Sequence, residues 1–436
     1  MERAIKFYPL LQMVQEYISQ NYAAALSDRR KIGQLRSYID KYLNDTGYTV
    51  EGLTREQLSK KLYSEMAEYS ILTPFLSKDS VEEININGWD DICITYSSGY
   101  MLKLGEHFYN PQHAVDIVKR LLHHSGMILD NATPMAQGHL PGNTRVTALK
   151  EPIVDADRGV SVSIRLLHPS KVTKTQIING GTATETMIDF LCMCLRYGVS
   201  FVVAGATSSG KTTLLNALLT TIPNQKRIFT IESGARELSL VSVKEGKIIN
   251  NVVHTLSRPS DNPAYSISQE DLVVASLRFD PDIVVVGEMR DTEAYSAVEA
   301  SLTGHTVVST IHATAADAAH MRLALLCQKR FPINFQTSLM QAGQAFPIIA
   351  YAHKLEDNSR KIMDISECVI LPNGDREYHT LFRFKILKNE VVNGKHKIEG
   401  IFEQPELMSE HLKAKLMQFG APDELLSRFL KKGGDF

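Results

Sequence analysis

The residues Gly205-Ala206-Thr207-Ser208-Ser209-Gly210-Lys211-Thr212 spell G-x-x-x-x-G-K-[ST], with Thr213 following. They lie between an apolar run, Phe201–Ala204, and a helix-forming stretch, Thr212–Leu219. Glycines at these positions let the backbone curl so that successive N–H groups face one anion, and the helix N-terminus adds partial positive charge. Lys211 is then placed for the outer phosphates of a nucleotide and the Thr212 hydroxyl for Mg²⁺. The pattern predicts binding of ATP through Gly205–Thr213, with Lys211 also serving the chemistry.

Three further segments repeat one theme, a buried strand that ends in a polar group. Asp282-Ile-Val-Val-Val-Gly287-Glu288 delivers an acid, and Glu288 is a candidate to hold Mg²⁺ or to orient the attacking water. Asp282, at the strand start, reads as structural, and Arg290 reads as a local ion-pair partner. Ile228-Phe-Thr-Ile231-Glu232 delivers a second acid, a candidate for the metal's outer shell or for general base, while Glu237 reads as helical surface. His305 and His312 bracket the strand Thr306–Ile311. They do not share a helix face, so H-E-x-x-H zinc chemistry is not expected. One of them, His305 or His312, is expected to sense the γ-phosphate. His123 and His124 carry no functional reading.

These segments need a scaffold. From residue 199 onward, strand-length apolar runs alternate with helices, which predicts a parallel sheet covered on both faces. Upstream, Met187, Phe190, Leu191, Cys194 and Leu195 form a helical stripe closed by Gly198. Residues 70–168 alternate in strand fashion around Val81–Gly88, Ile92–Tyr96, Thr144–Ala148 and Ser161–Leu166, with a helix near Ala114–His124. Residues 1–69 read as three helices, with a turn at Asn44–Gly47. The predicted organisation is a helical N-terminal extension (1–69), an α+β N-terminal domain (70–168), a polar linker (169–182) and an α/β ATPase domain (183–436).

Composition bounds the partners. The 436 residues carry a formal net charge of -2 and are 44% hydrophobic, which suits domains with real cores. So little net charge, with a single tryptophan, Trp89, argues against the basic, aromatic-studded groove of a nucleic-acid binder. The five cysteines, Cys93, Cys192, Cys194, Cys327 and Cys368, include no C-x-x-C pair and read as reduced thiols. No spanning apolar run and no signal peptide are evident. The expectation is a cytoplasmic protein that reaches a membrane only through a partner.

In this order and spacing, the four motifs resemble those of the secretion ATPase superfamily of type II and type IV secretion, most nearly its CpaF-like pilus-assembly and conjugation branch. Gly205–Thr213 is similar to the family's Walker A, 227–238 to its Asp box, 284–290 to its Walker B and 303–313 to its His box. Leu272–Asp282 is similar to the stretch that precedes Walker B. Pro74–Gly88, Leu140–Val146 and Ser163–Arg165 are similar to N-terminal family patterns, so the likeness spans roughly residues 70–370. The resemblance implies an α+β N-terminal domain followed by a RecA-like P-loop motor domain. It implies a homo-hexamer that hydrolyses ATP with Mg²⁺ and works with inner-membrane platform or secretion-complex proteins. It also implies arginines that reach the phosphates, carried by position to Arg145 and Arg165 and, less directly, to Arg258, Arg278 and Arg290. Several positions depart from the pattern. Ser233 stands where the family has the aspartate of the Asp box, Asp280 replaces an arginine, and His139 and Gly142 replace an arginine and an aspartate. Two other functions fit the P-loop: a RecA-like ATPase acting on nucleic acid, and a nucleotide-gated scaffold with little turnover.

Overall fold

The computed structural model describes residues 3–22, 32–123, 125–140, 143–166, 172–258, 263–392 and 395–430. His124, Gly142 and the stretch 167–171 at the start of the expected linker lie outside the described residues. The chain forms two compact units, Met1–His168 and Pro169–Phe436.

In the first unit, helices Phe7–Asn21, Ile32–Thr46 and Arg55–Ala67 pack through Leu10, Val14, Ile18, Leu35, Ile39, Leu43, Leu58 and Leu62, all buried. These positions recur every three or four residues, so each helix turns one apolar stripe inward. The second helix runs through the Asn44–Thr46 stretch expected as a turn, and the chain reverses only at Gly47, whose φ is +69°. Short strands β1 (Arg3–Ala4) and β2 (Tyr48–Thr49) pair in parallel beside the bundle. A six-stranded antiparallel sheet follows: β3 (Val81–Gly88), β4 (Asp91–Tyr96), β5 (Met101–Lys103), β6 (Met135–Leu140), β7 (Thr144–Lys150) and β8 (Val160–Leu166). Its order is β5-β4-β3-β8-β7-β6, and helix Pro111–His123 covers its apolar face. Buried Glu65 ties the bundle to the helix Pro111–His123: its carboxylate accepts from Ser70 Oγ at 2.7 Å and meets His113 Nε2 at 2.9 Å.

The second unit opens with helix Lys174–Asn179, begun by a capping box between Thr173 and Gln176. The stretch expected as a polar linker therefore contains a helix. After helix Glu185–Arg196 comes a nine-stranded sheet. Its strands are β9 (Phe201–Gly205), β10 (Arg227–Ser233), β13 (Asn251–Ser257), β14 (Ile283–Val286), β15 (Thr306–Ile311), β16 (Ile348–Lys354), β17 (Arg360–Ile370), β18 (Arg376–Val392) and β19 (Lys395–Glu403); β11 (Val243–Lys244) and β12 (Lys247–Ile248) form a separate small hairpin. The order is β13-β10-β14-β15-β9-β16-β17-β18-β19. The first six strands run parallel and the last three add antiparallel. Insertion of β15 between β9 and β14 is the RecA-like arrangement. Along β9, Phe201 and Val203 join one core while Val202 and Ala204 join the other. The strand is thus buried on both faces, which is why it reads as an unbroken apolar run.

Candidate functional site

Because six neighbouring strands are parallel, their carboxyl ends share one edge, the usual binding edge of an open α/β sheet. The P-loop leaves β9 at that edge. A Cβ on Gly205 would fall 2.3 Å from the Ala352 carbonyl oxygen and 2.5 Å from Ser209 Oγ, so only glycine permits this close approach to β16. Ser208 and Gly210 take left-handed backbone, with φ of +63° and +90°. These reversals curl the loop into the start of helix Lys211–Leu219, the concavity that gathers backbone N–H groups around an anion. The buried Lys211 ammonium folds back on the loop, donating to the carbonyls of Gly205 at 3.0 Å and Ala206 at 2.9 Å. Burial pushes its pKa down, and the nearby Glu288 carboxylate opposes that shift. Ser209 Oγ is buried without a hydrogen-bond partner among the described residues.

Two strands away, β14 ends in a tightly tied turn. Gly287 N–H donates to Ile231 O at 2.8 Å, Thr310 Oγ1 donates to Gly287 O at 2.8 Å, and Met289 N–H donates to Thr310 O at 2.9 Å. This fixes Glu288, whose Oε1 lies 3.0 Å from His312 Nε2 and whose Oε2 pairs with Arg290. Arg290 is raised above its ordinary pKa, first by that hydrogen bond. His312 is lowered, first by burial and then by the Lys211 charge, with Glu288 opposing. Lys211, Glu288, Arg290 and His312 therefore form one electrostatic cluster.

Glu232, at the end of β10, is 4% exposed. Its Oε1 accepts from the Glu237 and Leu238 amides at 2.7 and 3.0 Å, while Oε2 is buried without a partner among the described residues. Burial raises its pKa to about 7 against the pull of those two amides. Gly287 makes room for it, since a Cβ there would lie 3.2 Å from Glu232 Cγ. Glu237, expected on a helical surface, sits on irregular backbone and contributes its amide to Glu232.

His305 is not brought to this site. In the parallel register Val308 pairs with Phe201 and Ile311 with Ala204. His312 is thus level with the P-loop, and His305 stands at the opposite edge. At roughly 3.3 Å per residue, the intervening strand puts about 20 Å between them along the chain. Asp282 is also at the far edge, where it accepts from Arg227 N–H and Lys226 Nζ, each at 2.7 Å, in the structural role expected of it.

Arg145 and Arg165 lie in the first unit as direct cross-strand partners on β7 and β8. Their row continues to His139 on β6 and Glu83 on β3. Burial and then the Arg145 charge lower the His139 pKa. One residue that the motifs did not indicate also touches the P-loop: Arg360, at the start of β17, donates from Nε to Ser208 O at 3.0 Å.

A metal and a nucleotide fit the groups present. The left-handed loop, the partnerless Ser209 hydroxyl and the buried ammonium suit a polyphosphate, and the adjoining Glu288 carboxylate and Thr212 hydroxyl are hard oxygen donors of the kind Mg²⁺ takes. Fold and site together define a P-loop nucleotide-binding protein of the RecA-like kind. Residues 65–384, well over half the chain, match the family model "Type II/IV secretion system protein". The chain belongs to that family, the one its motifs resemble. It is 27% identical over 348 residues to an uncharacterized protein of Methanocaldococcus jannaschii, covering 75% of this chain and 60% of that one. It is 34% identical over 184 residues to the type IV secretion system protein PtlH of Bordetella pertussis, covering 41% of this chain and 52% of PtlH. The chain thus spans about half the length of the curated relatives it matches. Among solved structures it is similar to the pilus retraction motor PilT with bound ADP (TM-score 0.48, 17% identity, 80% of this chain and 86% of that one) and to the Brucella suis VirB11 ATPase (TM-score 0.36, 20% identity, 70% and 96%).

Proposed function

We propose that this chain is a Mg²⁺-dependent ATP-hydrolysing motor that works as a homo-hexamer and energises a type IV or type II-like secretion, pilus-assembly or conjugation apparatus. The observation that carries the proposal is the convergence of Lys211, Glu288, Arg290 and His312 beside a left-handed P-loop at one sheet edge. In this reading residues 183–436 are the motor domain and the amides of Gly205–Thr213 bind the phosphates. The Lys211 ammonium leaves the Gly205 and Ala206 carbonyls for the β- and γ-phosphates, so its present bonds hold it desolvated and ready. Thr212 and Glu288 would hold Mg²⁺, which supplies charge neutralisation on the phosphates. Glu288 also orients the attacking water, with the His312 imidazole beside its carboxylate. Glu232, packed against Gly287 behind the Glu288 turn, assists Glu288 from the metal's outer shell or as general base. Arg145 and Arg165 remain the proposed source of further positive charge for the phosphates.

No helix among the described residues is long and apolar enough to cross a membrane. We place the motor in the cytoplasm, held at the inner face of the membrane by platform proteins. The deciding experiment is phosphate release at steady state by wild type and Lys211→Ala. Mg²⁺-dependent turnover that vanishes in the variant is expected. Undiminished turnover in Lys211→Ala overturns the site assignment, and no turnover in wild type favours a nucleotide-gated scaffold.

A further inference from the structure

We infer that Arg360 is a positioning residue that locks the P-loop in its phosphate-binding shape. The inference rests on the reading that Gly205–Thr212 bind phosphate. Ser208 is a non-glycine residue held at φ +63°, where the Cβ crowds the backbone. That reversal belongs to the loop curvature that gathers backbone amides around an anion. The Ser208 carbonyl accepts a hydrogen bond from Arg360 Nε at 3.0 Å. The arginine stem also lies against the next left-handed residue, with Cδ 3.1 Å from where a Cβ of Gly210 would be. One side chain thus touches both backbone reversals of the loop.

Arg360 is held where it can do this. β16 is bonded directly to β9, with Ala352 opposite Gly205, and Lys354 pairs with Arg360 across the β16–β17 hairpin. The hairpin turn is closed by Leu355 N–H to Ser359 O at 2.8 Å. Asp357 braces it, accepting from Ser359 N–H at 3.0 Å and Ser359 Oγ at 2.6 Å. The clamp, on β17, and the loop, after β9, are therefore mounted on the two strands that flank β16. A guanidinium suits the position because Nε lies in a rigid plane. A lysine ammonium, one freely rotating point charge, does not reproduce that geometry.

The test uses the full chain and three probes: fluorescent ADP, MgATP turnover, and inorganic tripolyphosphate as a competitor. Arg360→Ala is expected to weaken ADP and tripolyphosphate by a similar factor, about tenfold, and to raise KM for MgATP alike while kcat stays within about threefold, the signature of lost uniform binding. Arg360→Lys is expected to recover less than half of the loss. Without nucleotide, the melting temperature of Arg360→Ala should stay within about 2 °C of wild type, because the side chain is exposed. ADP and tripolyphosphate affinities within twofold of wild type overturn the inference, as does a loss confined to ADP, which would place Arg360 on the nucleoside. Lys211→Ala separates the two claims. If it still binds ADP, the P-loop reading fails; if it does not and Arg360→Ala binds normally, only the clamp fails.

Discussion

Replacing Glu232 with glutamine tests the electrostatics of the site through stability alone. The carboxyl is buried, bonded on one oxygen and bare on the other, and its pKa stands at about 7 against an ordinary 4.5. The folded state therefore keeps a proton that the unfolded chain has lost between those two values. Below pH 4.5 both states are protonated and the group is neutral in its effect. As pH rises through this window, stability is lost, and above about 7 the loss is complete. A difference of about 2.5 pKa units corresponds to about 3 kcal/mol. Glutamine keeps the shape and the accepting oxygen but does not titrate. Urea unfolding of wild type and Glu232→Gln at about pH 4.5 and pH 8 should show wild type losing about 2–3 kcal/mol relative to the variant at the higher pH. Every other titrating group is common to both proteins and cancels. A difference between the two proteins that does not change with pH would refute the buried-proton account.

Three other outcomes follow from the same geometry. Glu288→Gln keeps the size of the side chain but loses the charge facing Arg290 and His312; ATP should still bind while kcat falls at least about a hundredfold, read by filter binding and phosphate release. Gly205→Ala drives a Cβ onto the Ala352 carbonyl oxygen and should cost about 1–3 kcal/mol in denaturant unfolding and abolish ADP binding. His320 is wholly buried between Tyr378 Oη and Phe346 O, each at 2.9 Å, and burial lowers its pKa to about 4. The unfolded chain takes up its proton first on acidification, so stability falls from about pH 6.5 towards 4. His320→Asn should be less stable at neutral pH yet flatter across that window in urea unfolding.

The parts of the fold that are plain in the sequence are those buried on both sides. β9 and β14 are unbroken apolar runs, and β10 and β15 are rich in Val, Ile, Phe and Thr, because both faces of each strand meet a core. The helical stripes of the first unit are equally plain. The strands that escape notice are those with one wet face or none dry. β6 reads Met-Ala-Gln-Gly-His-Leu, with a glycine at its centre, and β13 is an edge strand with no fully buried residue. β18 carries Lys385, Lys388 and Glu390 on exposed backbone pairing with β19, so neither its length nor its partner is written in hydrophobicity. The Lys174–Asn179 helix is short, and what starts it is a reciprocal Thr173–Gln176 cap rather than an apolar stripe.

Strand direction decides which polar residues belong to the site, and it explains which of the two histidines lies beside the P-loop and why the motifs do not point to Arg360. In a parallel sheet every strand enters at one edge and leaves at the other. A polar residue just after an apolar run therefore reaches the binding edge, as Gly205, Glu232, Glu288 and His312 do. A polar residue just before such a run does not, and His305 and Asp282 fall on that side for the same reason. An antiparallel strand reverses the rule. β17 begins where β16 ends, so its first residue, Arg360, reaches the P-loop although it opens its strand rather than following one. Sequence spacing records where strands start and stop but not their direction. Reading Arg360 as part of the site requires knowing that the chain has turned back at Leu355–Ser359.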